Sequence, residues 1–274
     1  MRHGILAALP NILIWLVLCH VCAAQHEPAE PINLAAVATP STSYVSGHET
    51  LAAINDGFDP RNSNDTRHGQ YGNWPRRGLQ WVQYEWQQAI STNKIDVYWW
   101  NDGRGVRFPK ACRLLYWDGD KFEPVKITSG LTIERDRFST TTFAEITTTR
   151  LRLEMEGDGT FSTGIIEWKV YDSGNSPVFP PRVTAGVDRV VVFGGKTHLD
   201  ATVQLLSRKR GSTSTRWTKE AGPGNVSFAD PHSLRTTASC SQPGRYVLKL
   251  TARAGDQNGS STLKVLCVDR PPAE

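Results

Sequence analysis

The run Trp99-Trp100-Asn101-Asp102-Gly103-Arg104-Gly105-Val106-Arg107 gathers two planar aromatics, an amide, a carboxylate and two guanidinium groups on one short turn. A sugar presents an apolar C–H face that packs on an aromatic ring, and hydroxyls that pair with carboxylates, amides and guanidinium groups. This composition therefore suits a saccharide. His68, Tyr71 and Phe161 stand in other loops that would join the site if the loops gather at one end of the fold. Alternation along the preceding strand sends one tryptophan inward. Trp99 is in phase with Ile95 and Val97, so it is expected in the core and Trp100 towards the ligand. Arg104 has a second reading as the mate of Asp102. The candidate saccharide contacts are thus Trp100, Asp102, Arg104, Arg107, His68, Tyr71 and Phe161.

A second concentration of polar chemistry follows Asp56-Gly57. Asp-Gly ends a structured segment, because glycine tolerates positive φ and aspartate bonds its own backbone. The next residues carry Asp59, Asn62, Asn64, Asp65, His68 and Asn73 with almost no aliphatic side chain, so they must form a surface loop rich in oxygen. Motifs of catalysis are missing: there is no Gly-x-Ser-x-Gly elbow, no His-Glu-x-x-His and no phosphate-binding loop.

The elements that must hold these loops read as strands. Trp81, Val82, Tyr84 and Trp86 interleave with Gln80, Gln83 and Glu85 in the rough period of two that puts one face on a core. Further strands are expected at Lys94 to Trp100, Arg113 to Trp117, Arg137 to Thr142, Arg150 to Met155 and Gly164 to Val170. Asn33 to Pro40 reads as a first strand and His48 to Ile54 as a single helical turn. No long amphipathic helix is expected, so the chain is assigned to the all-β class.

In order, Ile54-Asn55-Asp56-Gly57, Gln80 to Trp86, Lys94 to Trp100, Arg107-Phe108-Pro109, Arg113 to Gly119 and Gly164 to Val170 resemble the coagulation factor 5/8 type C domain. This family is also called the discoidin domain, a galactose-binding-like jelly-roll β-sandwich. The resemblance spans about residues 32–173 and is closest to modules attached to bacterial glycosidases. It implies carbohydrate binding through loops at one end, and no catalysis. It also implies a structural Ca2+ between the Asp-Gly loop and a glutamate near the last strand. Asp56 matches the first position and Glu167 the second; Asp59, Asn64, Asp65 or carbonyls around Ala53 and Asn73 would complete the six to eight hard oxygens calcium takes. The plainer reading is that Asp56 only caps a turn and Glu167 meets a cation such as Arg152.

Residues 174–181 hold Pro177, Pro180 and Pro181 and read as a stiff linker. From Arg182 to Asp269, seven short segments with regular turns predict a second, immunoglobulin-like sandwich. Gln242-Pro243-Gly244-Arg245-Tyr246 and the strand after it resemble the polycystic kidney disease (PKD) domain. That family's Trp-Asp-Phe-Gly-Asp stretch is replaced by Trp217 to Gly224, which makes the module PKD-like. Arg208-Lys209-Arg210, with Arg216, reads either as a solvated hairpin loop or as a contact for acidic polysaccharide.

The chain has 274 residues, 39% of them hydrophobic, and a net charge of +4 with the basic residues dispersed. That is enough apolar material for two ordinary cores and shows no electrostatic stripe for nucleic acid. Arg2 and His3, an apolar run from Ile5 to Val21 and Ala23-Ala24 form a signal-peptide pattern over residues 1–24, which implies export. The run is too short and interrupted for a membrane span, so none is expected in the mature chain. Cys19 and Cys22 would leave with the signal. Of Cys112, Cys240 and Cys267, the last two are the natural disulfide pair, with small buried thiols as the alternative reading. The expected partner is a glycan or polysaccharide. A cell-surface protein gripped by the same loops, or a place as the non-catalytic fragment of a larger glycosidase, is the alternative. Membrane contact through Phe161 ranks last.

Overall fold

The computed structural model describes Met1 and residues 31–206 and 212–269. The expected signal sequence and the Arg208-Lys209-Arg210 run lie outside the described residues. The protein is all-β, built as sandwich sheets, with 3-10 turns at Leu34–Val37 and Leu51–Asn55. Among the described residues no helix is long and apolar enough to cross a membrane.

The first eight strands are β1 (Thr39–Thr42), β2 (Tyr71–Gly72), β3 (Leu79–Trp99), β4 (Ala111–Trp117), β5 (Phe122–Pro124), β6 (Ile127–Ser129), β7 (Ser139–Glu156) and β8 (Gly164–Asp172). They form one ladder in the order β2-β8-β3-β7-β4-β5, with β1 also on β3 and β6 on β7. The long strands β3 and β7 make this a sandwich. Pairing between them breaks from Glu85 to Ile90, and each half then serves its own layer. Leu79 to Glu85 lies between β1 and the second half of β7, whereas Lys94 to Val97 lies between β8 and the first half of β7.

Alternation decides what fills the space between the layers. Val82, Tyr84 and Trp86 point inward from β3, Leu151, Leu153 and Met155 from β7, and Trp168 and Val170 from β8, all at most 2% exposed. Each such side chain contributes roughly 1.5–3 kcal/mol relative to exposure. Trp168 stacks on Tyr84 with ring centroids 4.3 Å apart. The Tyr84 hydroxyl lies 2.7 Å from the Ile54 carbonyl and 2.9 Å from that of Trp168, so the ring ties the Asp56 loop to β8.

One expected strand is corrected at its start. Leu34–Val37 is a 3-10 turn because the Asn33 side chain caps it, accepting from Ala35 N at 3.0 Å and from Val170 N at 3.0 Å. Apart from an isolated bridge between Asn33 and Tyr171, pairing begins at Thr39. The proline-bearing segment after β8 is held against the first core: Ser176 bonds the Ser91 backbone, and Phe179 is buried in that core's cluster.

Nine strands follow: β9 (Arg182–Thr184), β10 (Arg189–Val192), β11 (Thr197–Asp200), β12 (Thr202–Gln204), β13 (Thr213–Ala221), β14 (Val226–Phe228), β15 (Arg235–Cys240), β16 (Gly244–Ala254) and β17 (Gln257–Val268). A four-stranded sheet β10-β17-β16-β13 and a three-stranded sheet β11-β15-β14 enclose a second core of Trp217, Tyr246, Leu248, Leu250, Leu263 and Val265. The indole of Trp217 finds a partner there, its Nε1 donating to the Ser233 carbonyl at 3.1 Å.

Candidate functional site

The turn after β3 is shaped by its own acid and amide. Asp102 Oδ1 accepts from Arg104 N at 2.7 Å and from Val106 N at 3.0 Å, and Asn101 Oδ1 accepts from Gly103 N at 2.9 Å. Gly103 has φ +73°, where glycine is unstrained. Main-chain bonds then pin the turn to its neighbours: Asn101 N to Ser63 O at 2.8 Å, Ser162 N to Gly105 O at 3.0 Å and Arg107 N to Ser162 O at 2.9 Å. Asp102 thus works as the scaffold of the loop. It takes the Arg104 backbone but forms no ion pair with its exposed guanidinium.

Trp100 is buried rather than open at the surface, which corrects the expected orientation. It is 7% exposed and packs with Tyr98, Val106 and Ile166, with Phe58 and Phe138 against them. Alternation does turn it away from Trp99, which is 1% exposed in the main core. The outer face it turns to is itself roofed by the oxygen-rich loop carrying Phe58. The fit is tight: a Cβ at Gly72 would lie 2.6 Å from the Trp100 ring, and one at Gly164 2.7 Å. Tyr71 is corrected likewise. Its ring is 0% exposed and its hydroxyl sits 2.6 Å from Thr42 Oγ1 and 3.0 Å from Tyr44 O.

The other candidates stay near the surface. The Arg107 guanidinium lies 4.9 Å over the half-buried Phe161 ring, and its Nε is buried without a partner. Exposed His68 stacks on Phe58 at 4.0 Å with Nδ1 3.8 Å from Asp56 Oδ2, so it belongs to the Asp56 loop. A concavity of about 520 Å3 lies beside the 101–107 turn, lined by Asn62, Asn64, Asn101, Asp102, Arg107 and Arg135 among others. Its rim is fixed by Ser63 and Asp136, each donating its backbone N–H to the other's side chain at 2.7 and 2.9 Å.

Trp74 is the residue that sequence reasoning missed. It is 46% exposed, and its ring lies against Gly105, where a Cβ would come within 3.2 Å of Cδ1. His48 is 6.0 Å away. Next to it Asn73 is wholly buried and locked to Thr163 through bonds of 2.7 and 2.9 Å, which holds the backbone under the ring. A partial signal was present: Trp74 stands beside Pro75-Arg76-Arg77 in a stretch with almost no aliphatic side chain to pack on. Trp74 and the polar concavity therefore flank the same turn.

The Asp56-Gly57 turn reaches Glu167. Gly57 N donates to Glu167 Oε2 at 3.2 Å and Phe58 N to Asp56 Oδ1 at 2.8 Å. Glu167 is 0% exposed and its Oε1 is buried without a partner. Burial, and then the Asp56 charge, push its carboxyl up to about 8. Arg152 is not its mate; it bonds Gln83 Oε1 at 2.8 Å and stacks on Trp81 and Phe122. The expected loop ligands are committed elsewhere, Asp59 to Lys169 and Asp65 to Arg67, whose guanidinium holds that carboxyl well below the usual range. Among the described residues no cluster of three or more His, Cys, Asp or Glu could hold a metal. An orphaned buried carboxylate oxygen facing a second carboxylate still fits a hard cation. Its remaining ligands would have to be main-chain carbonyl and side-chain amide oxygens.

No protein-family model matches the chain. Similar solved structures include the Streptococcus pneumoniae β-galactosidase BgaA, with 16% identity over 50% of this chain and 93% of that one, at a TM-score of 0.45. A family 32 carbohydrate-binding module of NanJ from C. perfringens, in complex with galactose, has 18% identity over 52% of this chain and 98% of that one, at 0.42. A chitosan-binding module of a Paenibacillus sp. IK-5 chitosanase/glucanase has 14% identity over 51% and 98%, at 0.40.

Proposed function

We propose that this chain is an exported, non-catalytic glycan-binding protein. Its first sandwich grips saccharide at the 101–107 turn, and its second, PKD-like sandwich serves as a spacer or adhesion module. The observation that carries the reading is the pairing of an exposed aromatic with polar hydrogen-bonding groups on one rigid turn. Trp74 stands on one flank, and the concavity with Asn62, Asn101, Asp102, Arg107 and Arg135 on the other. Trp74 takes the platform role first expected of Trp100.

Magnitudes set the kind of binding. One stacked ring at about 1 kcal/mol and two charge-assisted hydrogen bonds at about 2 kcal/mol each give roughly 5 kcal/mol before ordering costs. That is on the order of millimolar affinity, suited to localisation on a repetitive polymer rather than tight capture. A structural Ca2+ held by Asp56 and Glu167 belongs to the same proposal. Neutralising the two carboxylates would fix the Asp56 loop, on which His68 and Phe58 sit. A glycan array probed with the mature chain tests the reading, and retention on no glycan in the presence of calcium would refute it.

A further inference from the structure

The sulfur atoms of the second sandwich play no part in the saccharide site. Cys240 closes β15 in the three-stranded layer, and Cys267 lies near the end of β17 in the four-stranded layer. Residues 241–243 carry the chain from one layer to the other, and Gly244, the first residue after them, is the ladder partner of Cys267. This puts both cysteines at the same end of the sandwich. Cys267 is 3% exposed within the core, Cys240 packs against that core, and the Cys267 thiol is near enough to raise the pKa of Cys240. Cys112, by contrast, lies on β4 in the first sandwich.

We propose that Cys240 and Cys267 form a disulfide that staples the two layers of the second sandwich when the chain meets a low-molecular-weight disulfide such as oxidised glutathione. The half-buried Cys240 is the sulfur that incoming reagent reaches. Its thiolate attacks one glutathione sulfur, forming a mixed disulfide and releasing one glutathione thiolate. Cys267 sulfur then attacks Cys240 Sγ, expelling the second. The two protons lost by the cysteines end on the two glutathiones, so one disulfide is exchanged for another and electrons balance. Burial and the neighbouring thiol push Cys240 up to about 11, so at neutral pH only a small thiolate fraction is available and exchange is slow. A bridge between sheets in contact needs little backbone movement, and it constrains the unfolded chain.

The test uses the mature chain incubated with oxidised glutathione, quenched in acid, denatured, alkylated and mapped by mass spectrometry. The expected result is one linked species joining the peptides of Cys240 and Cys267, with Cys112 recovered alkylated. Thermal unfolding then reads the staple: reduction should lower the midpoint of the second sandwich on the order of 10 °C. That difference should vanish in Cys240→Ser, whose half-buried position tolerates a hydroxyl. Recovery of Cys240 and Cys267 as separate alkylated or glutathionylated peptides would overturn the proposal. So would oxidised and reduced forms that melt alike.

Discussion

Replacing Trp100 by alanine separates a packing role from a ligand role. The side chain is 7% exposed, and an indole of this kind removes about 200 Å2 from water. At about 25 cal/mol per Å2 that is roughly 5 kcal/mol, of which the alanine retains a small part. Gly72 and Gly164, pressed against the ring, have no side chains to swing into the space, so a cavity remains. A loss of about 3–5 kcal/mol follows for Trp100→Ala. In a unit of this size that lowers the unfolding midpoint by roughly 10 °C. The assay is circular-dichroism melting of the mature protein beside Trp74→Ala, which should melt close to wild type. A Trp100→Ala protein that melts like wild type would refute the packing argument and restore Trp100 as the candidate platform.

Calcium removal should lower the melting midpoint of wild type but not of Glu167→Gln; equal midpoints with and without chelator would count against the cation. In calcium-free buffer the raised Glu167 carboxyl binds a proton more tightly folded than unfolded. Stability should therefore be full below the ordinary carboxylate range and decline as pH rises towards about 8, a decline that Glu167→Gln should flatten in pH-dependent melts. Asn73→Ala removes the bonds that the Asn73 side chain makes to Thr163 Oγ1 and Thr163 N, costing about 1–3 kcal/mol in denaturant titration, and no loss would show that the 73–163 lock is dispensable.

Alternation made the strands legible in the sequence, because Val82, Tyr84 and Trp86 share one face and that face is buried. The same rule placed Trp99 inward. It failed for Trp100 because it says only that a side chain turns to the other face, not whether a loop forty residues upstream covers that face. Phe58 does cover it, and nothing local to β3 announces this. Tyr71 misled for a related reason: a tyrosine beside a polar loop looks available until Thr42 and Tyr44 claim its hydroxyl. Asp59 and Asp65 read as free oxygen ligands, because their cation partners are a distant lysine and a neighbour whose geometry only folding reveals. Asp56 and Glu167 were paired through the family resemblance, since 110 residues separate Gly57 from the Glu167 carboxylate it bonds.

Saccharide is proposed to be held at the 101–107 turn with Trp74 as its aromatic platform. Calorimetric titration of the best array-derived glycan into wild type, Trp74→Ala and Arg107→Ala tests it most directly. Each variant is expected to keep its fold and lose roughly 1–3 kcal/mol of binding, about 5- to 150-fold in Kd. Undiminished binding by a folded Trp74→Ala protein would contradict it.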